Sequence, residues 1–136
     1  MPYLIGFLLA LLIGYAARLS GFDKDRAFYP VVLAVVASYY VLFAAQGATA
    51  SVLVIEIAVL AVFLAIAGAG FRLTPLWLVA GLAAHGIIDA VHGRLIDNPG
   101  VPEWWPAFCG AYDLTAAALL AMLLRASRGR RERCRS

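Results

Sequence analysis

Apolar runs of about twenty residues, separated by short polar interruptions, dominate the chain: Pro2 to Ser20, Phe28 to Gln46, Thr49 to Gly70, Leu73 to Ile96 and Pro106 to Leu124. Charged residues gather mainly in the gaps, around Asp23 to Arg26, at Arg72, between Arg94 and Asp97, and after Leu124. Each run has the length an α-helix needs to cross a hydrocarbon core, about 20 residues. The connections are short, so neighbouring helices are expected to run antiparallel. The pattern predicts an all-α integral membrane bundle of five transmembrane helices over residues 1–124, followed by a basic tail over 125–136.

Composition agrees with lipid as the solvent. Of 136 residues, 64% are hydrophobic and 14% charged, whereas soluble domains carry about 25% charged residues. The mean hydropathy is +0.88. Only Met1 and Pro2 open the first run, and its first cation, Arg18, stands at the far end. A cleaved signal peptide has positive charge before its apolar stretch, so this run is expected to be a retained helix.

Cation placement sets the expected orientation. With five spans, Arg18, Lys24, Arg26, Arg72, Arg125, Arg128, Arg130, Arg131, Arg133 and Arg135 share one side and Arg94 stands alone on the other. By the positive-inside bias the N-terminus lies outside and the C-terminus is cytoplasmic. The excess of Arg over Lys, with abundant Ala, is the residue bias of a GC-rich bacterial genome, which points to a multi-pass protein of the bacterial inner membrane. The tail is expected to be mobile or to lie on anionic lipid. Nucleic acid is not an expected partner, because the basic residues sit mostly in that tail.

Against this background one stretch stands out, His85-Gly-Ile-Ile-Asp-Ala-Val-His92. Steps of four and three residues put His85, Asp89 and His92 on one helical face. Ionisable groups inside a bilayer are costly, and their default reading is functional. On the expected topology Glu56, Asp89 and Asp113 each lie about seven residues below the outer surface, roughly 10 Å deep at the helical rise. These three carboxylates are expected to define an outward-facing intramembrane His/Asp/Glu pocket, with His92 at its centre and His85 and Tyr112 in support. Tyr39 and Tyr40 reach a similar depth, and Cys109, Tyr112 and Asp113 share a face of the last helix.

A divalent metal (Zn, Fe or Mn) suits imidazole and carboxylate donors, which makes His85, Asp89, His92, Glu56 and Asp113 the candidate metal ligands. His85 and His92 are two turns apart, about 10 Å, so one ion cannot easily take both. A single ion would use Asp89, one histidine, Glu56 and Asp113; two ions would share Asp89 as a bridge. Asp89, His92, Asp113 and Glu56 are equally the candidate catalytic groups for metal-free acid/base chemistry on a lipophilic substrate. Cys109 is expected to be a small packing residue. The loop Asp97-Asn-Pro-Gly-Val-Pro-Glu-Trp-Trp-Pro106 combines turn residues with an aromatic belt and lies above the pocket.

The alternative to an enzyme is a non-catalytic membrane subunit, or an ion- or proton-handling component, whose polar cluster locks the helices together. A polar pocket on one side only argues against a relay across the whole membrane. Ala116, Ala117 and Ala121 permit close helix packing, so a second copy of the chain or a larger membrane complex joins membrane lipids among the expected partners. No internal repeat is apparent, and the two cysteines, Cys109 and Cys134, are placed too far apart for a disulfide.

Residues Asp97 to Asp113, with His85, Asp89 and His92 before them, resemble a group of small bacterial integral membrane proteins with no assigned activity. The resemblance covers the last two helices and implies membrane location alone. Membrane hydrolases of the alkaline ceramidase and adiponectin receptor class offer a chemical analogy, a zinc held by three histidines. Two histidines and five spans do not match that class.

Overall fold

Five helices joined by short connections make up the structure, a computed structural model that describes residues 1–133, the side chains of 130–132 aside. They are α1 (Pro2–Ser20), α2 (Phe28–Gly47), α3 (Ala50–Arg72), α4 (Leu76–Leu95) and α5 (Trp105–Arg133), with one turn of 3-10 helix at Phe22–Lys24. Pro2 and Pro106 fall in the first turns of α1 and α5, where a missing N–H costs no helical hydrogen bond. Thr49 caps α3, its Oγ1 accepting from Val52 N at 3.4 Å, and so satisfies one of the free donors of the first turn.

The largest departure from the expected boundaries is at the end of α5, which passes Leu124 without a break and continues to Arg133. Arginine is a good helix former, so the charged stretch prolongs the helix beyond its apolar part. The expected placements of Cys134 and Arg135 in the tail lie outside the described residues.

α5 packs against α1 on one flank and α4 on the other; α4 meets α3 and touches α2, and α2 pairs with α3. At one end of the bundle Gly47, closing α2, faces Gly100 of the α4–α5 connection. At the other, Arg26 Nη2 donates to Phe71 O at 2.8 Å, and Arg18 and Lys24 lie beside Leu124 and Ser127. The charge asymmetry of the sequence is therefore spatial: among the described residues Arg18, Lys24, Arg26, Arg72, Arg125 and Arg128 gather at that second end, and Arg94 is at the first.

All five helices are long and apolar enough to cross a membrane. α3 makes the physical case most clearly: its span has a mean hydropathy of 2.8, yet 17% of it is buried. A helix that is apolar on its exposed faces as well as its packed face has the character of a membrane span; Val54 and Val62 of α3, Leu4 and Leu12 of α1 and Ile87 of α4 all point outward. The interior is filled by Leu33, Phe63, Leu78 and Leu82, together with Ala116 and Ala117. Those two alanines thus serve the chain's own packing.

Candidate functional site

The site is built where α4 crosses α5, at Gly86 and Gly110. A Cβ on Gly86 would lie 3.0 Å from Gly110 O and 3.0 Å from Leu114 Cγ; one on Gly110 would lie 3.1 Å from Gly86 O. Only glycine at both positions lets the backbones come this close. Each glycine follows a ligand-type residue and precedes an aspartate by three positions: His85-Gly86-Ile87-Ile88-Asp89 on α4, Cys109-Gly110-Ala111-Tyr112-Asp113 on α5. Residues four apart share a helical face, so contact between the glycines brings both flanking pairs into the same space. Ligand atoms of His85, Asp89, Cys109 and Asp113 all lie within 4.8 Å of one another.

This group is sealed from bulk solvent, with Asp113 0%, Cys109 1% and His85 and Asp89 each 2% exposed. His85 Nδ1 is 2.6 Å from Asp113 Oδ2 and 3.6 Å from Asp89 Oδ2. Tyr40, reaching across from α2, donates its hydroxyl to Asp89 Oδ1 at 2.6 Å. Cys109 Sγ donates to Asp113 Oδ2 at 3.7 Å, and the Phe63 ring meets the His85 ring edge-on at 4.8 Å. Two buried carboxylate oxygens, Asp89 Oδ2 and Asp113 Oδ1, have no hydrogen-bond partner among the described residues. An unmatched buried acceptor costs about 1–3 kcal/mol; Asp89 Oδ2 has the His85 ring nitrogen at 3.6 Å for partial compensation, and Glu56 Oε2, outside this group, is a third buried carboxylate oxygen of the same kind.

The donor set suits a divalent ion. Bonds of about 2.0–2.3 Å to a tetrahedral ion place donor atoms about 3.3–3.8 Å apart, within the spread of this group. One imidazole, two carboxylates and a thiol favour zinc, or iron, over the harder manganese.

Glu56 and His92 are placed elsewhere. His92 Nε2 lies 2.9 Å from Glu56 Oε1, and the same oxygen accepts from Asn98 Nδ2 at 2.9 Å. Asn98 also donates to the carbonyl of Tyr40 at 3.2 Å. The expectation that Glu56, Asp89 and Asp113 meet therefore holds for the two aspartates; Glu56 is drawn one turn higher by His92 and by the α4–α5 connection. His85, expected in a supporting place, is central to the four-residue group, while His92 is outside it. Tyr40 links the two clusters, its ring stacked on His92 at 3.9 Å between centroids and its hydroxyl on Asp89.

Below the α4–α5 connection a cavity of about 300 Å³ is lined by His92, Asp97, Asn98 and Glu103. An opening at that end was expected; its lining includes His92 and none of Glu56, Asp89 and Asp113. Cys109 packs in the core as expected, and it also belongs to the four-residue group, which the sequence reading did not foresee. The signal that reveals it is the matched [His/Cys]-Gly-x-x-Asp pattern on two consecutive helices, too short to register as a repeat. Asn98 gave no signal beyond its turn chemistry.

Comparison with protein families, curated proteins and solved structures finds no match for this chain. The functional reading rests on the chain's own geometry.

Proposed function

We propose that this is a multi-pass protein of the bacterial inner membrane, N-terminus outside and C-terminus cytoplasmic, that holds a divalent metal ion in its core and acts as a metal-dependent hydrolase on a lipophilic substrate. The observation that carries the reading is the convergence of His85, Asp89, Cys109 and Asp113, two of whose carboxylate oxygens are buried with no hydrogen bond among the described residues. Burying two carboxylates beside one imidazole is costly unless further positive charge joins them, and a divalent ion supplies it. A bound metal would supply a water with its pKa lowered to about 7. His85, Asp89, Cys109 and Asp113 would hold the ion and Tyr40 would orient Asp89; a carboxylate oxygen not engaged by the ion would take a proton from the water that adds to an acyl carbonyl carbon and return it to the leaving oxygen as the acyl bond breaks. The orientation is supported by the cation cluster at one end of the bundle.

A second reading, metal-free acid/base chemistry, is favoured by one contact, the 2.6 Å approach of His85 Nδ1 to Asp113 Oδ2. Elemental analysis separates the two. Purified protein should carry about one zinc or iron per chain, and Asp113→Asn should lose it. A wild-type protein without stoichiometric metal after purification from zinc- and iron-supplemented cells refutes the metal reading. A reporter fused after Ser136 should remain cytoplasmic.

A further inference from the structure

The four-residue group has no opening of its own: His85, Asp89, Cys109 and Asp113 are each at most 2% exposed, so an ion reaches them only past other side chains. Two depressions come close. One meets the group at Cys109, but its lining, which includes Leu9, Ile13, Val35 and Phe108, carries no charged side chain. An ion that sheds water there finds no donor in exchange. The other is the cavity of about 300 Å³ below the α4–α5 connection, whose lining carries two carboxylates, Asp97 and Glu103, and no lysine or arginine. Both carboxylates are exposed. Charge at the two ends of the bundle points the same way. Arg18, Lys24, Arg26, Arg72, Arg125 and Arg128 crowd the opposite end, a field that repels a divalent cation. Arg94, at the cavity's own end, is not part of its lining.

Two side chains join this cavity to the group. His92 is part of the lining and follows Asp89 by three positions, roughly 4.5 Å along α4. Tyr40 bridges the pair, its ring stacked on His92 at 3.9 Å between centroids and its hydroxyl on Asp89 Oδ1. His92 also holds Glu56, whose Oε2 is buried with no hydrogen bond among the described residues. From solvent inward the order is therefore carboxylate, imidazole, carboxylate. All are donors that suit zinc or iron, and an ion at His92 is one side chain, Tyr40, away from Asp89.

We infer that the cavity is a transit site for a divalent cation, at which Asp97 and Glu103 gather the ion from solution and His92 passes it to Asp89. This rests on the metal reading of the four-residue group and adds the way that group is filled. The two exposed carboxylates act by charge, since a cleft lined by one sign raises association rates about 10- to 1,000-fold. They are not ligands of the buried site, so they set the rate of binding and leave the affinity alone.

The test uses the full chain in detergent, stripped of metal with a chelator and mixed rapidly with cobalt(II). The visible absorption of the bound ion reports uptake, and transfer into excess chelator reports release. Asp97→Asn combined with Glu103→Gln should slow uptake about tenfold at low salt, and the difference should shrink at about 1 M salt, where charges are screened within ~3 Å. Release should slow in proportion, so that affinity from chelator competition is unchanged. Gly93 also lines the cavity, and a Cβ there would meet nothing within 4 Å. Gly93→Phe should therefore obstruct the cavity without disturbing the packing, and slow uptake and release at either salt concentration. Asp25→Asn, at the opposite end of the bundle, is the control and should change neither rate. Uptake within about twofold of wild type in both cavity variants, far short of the steering effect, overturns the inference; so does a loss in the carboxylate variant that persists undiminished at high salt. The wild type keeps the two ideas apart. No bound cobalt at any concentration removes the metal centre and the route with it, whereas stoichiometric cobalt taken up equally fast by every variant removes the route alone.

Discussion

Adding one methyl group at Gly86 tests whether the α4–α5 crossing exists to form the site. The Cβ of Gly86→Ala would meet Gly110 O and Leu114 Cγ at 3.0 Å, about 0.4 Å inside ordinary contact distance. The leucine can rotate, but the carbonyl belongs to a helix and moves only with it. Overpacking of this kind costs about 1–3 kcal/mol, and the better helix propensity of alanine returns up to about 1 kcal/mol. The net destabilisation is therefore of order 0–2 kcal/mol, and the chain should still fold. Metal bonds tolerate errors of only about 0.2 Å, so moving the α4 ligands a few tenths of an ångström from those of α5 should weaken zinc binding about tenfold, ~1.4 kcal/mol. Chelator competition measures the affinity and thermal unfolding in the same detergent measures the stability. Gly68→Ala on α3, where an added Cβ meets nothing within 4 Å, is the control and should leave affinity unchanged. If Gly86→Ala and the double variant with Gly110→Ala both bind zinc within about twofold of wild type, by less than ~0.5 kcal/mol, the crossing does not set the site geometry.

Further substitutions separate the two clusters. Glu56→Gln should retain the metal in full, because Glu56 is held by His92 and Asn98, while unfolding shifts by about 1–3 kcal/mol for the altered buried contacts; metal loss in this variant would return Glu56 to the centre. Cobalt-loaded protein should show a thiolate-to-metal absorption band that vanishes in Cys109→Ser with cobalt still bound, and a spectrum without that band in the wild type would remove Cys109 from the ligand set. Tyr40→Phe, which deletes the hydroxyl on Asp89, should lower metal affinity about 10- to 100-fold, as loss of an orienting partner does, without changing stoichiometry.

The helices were legible because long apolar runs cut by charges and turn residues mark their ends, and four of the five match the sequence reading to within three residues at either end. The end of α5 was not, since hydropathy marks where lipid ends and says nothing of where helical hydrogen bonding stops. Depth counting correctly brought Asp89 and Asp113 to one level, as helical rise is fixed. It placed Glu56 there as well, but α3 packs on α2 and α4 and not on α5, so the inward-facing Glu56 meets His92 of α4 instead of Asp113. Which helices become neighbours is not set by depth, and the Gly86–Gly110 crossing that joins α4 to α5 shows in the sequence only as two glycines. Hydrophobic scanning treats glycine as filler and cysteine as a small apolar residue, so the matched pattern carrying both remained hidden until the helices were side by side.

Each cluster leaves buried carboxylate oxygen without a hydrogen-bond partner among the described residues, Glu56 Oε2 in the upper one and Asp89 Oδ2 and Asp113 Oδ1 in the lower one, and they differ in what their remaining polar atoms hold together. Glu56 Oε1 accepts from α4 and from the α4–α5 connection at once, Asn98 continues to the Tyr40 carbonyl, and Gly100 sits so close to the carbonyl of Phe43 that no side chain fits there. These contacts pin the connection onto the end of α2, which is what helix-locking groups should do. The lower cluster has a different balance. Hydrogen bonds between membrane helices average about 0.6 kcal/mol each, while each unmatched buried oxygen costs about 1–3 kcal/mol. His85, Asp89, Cys109 and Asp113 make three hydrogen bonds with one another and with Tyr40 and one longer His85–Asp89 approach of 3.6 Å, and leave two carboxylate oxygens without a hydrogen bond among the described residues. As glue that arrangement loses energy, and apolar residues of the same size would hold α4 to α5 better. A proton or a cation shared by the two aspartates would recover that loss. The upper cluster, with one unmatched oxygen, ties the connection to α2; the lower one, with two on facing helices, is the better candidate for holding a cation.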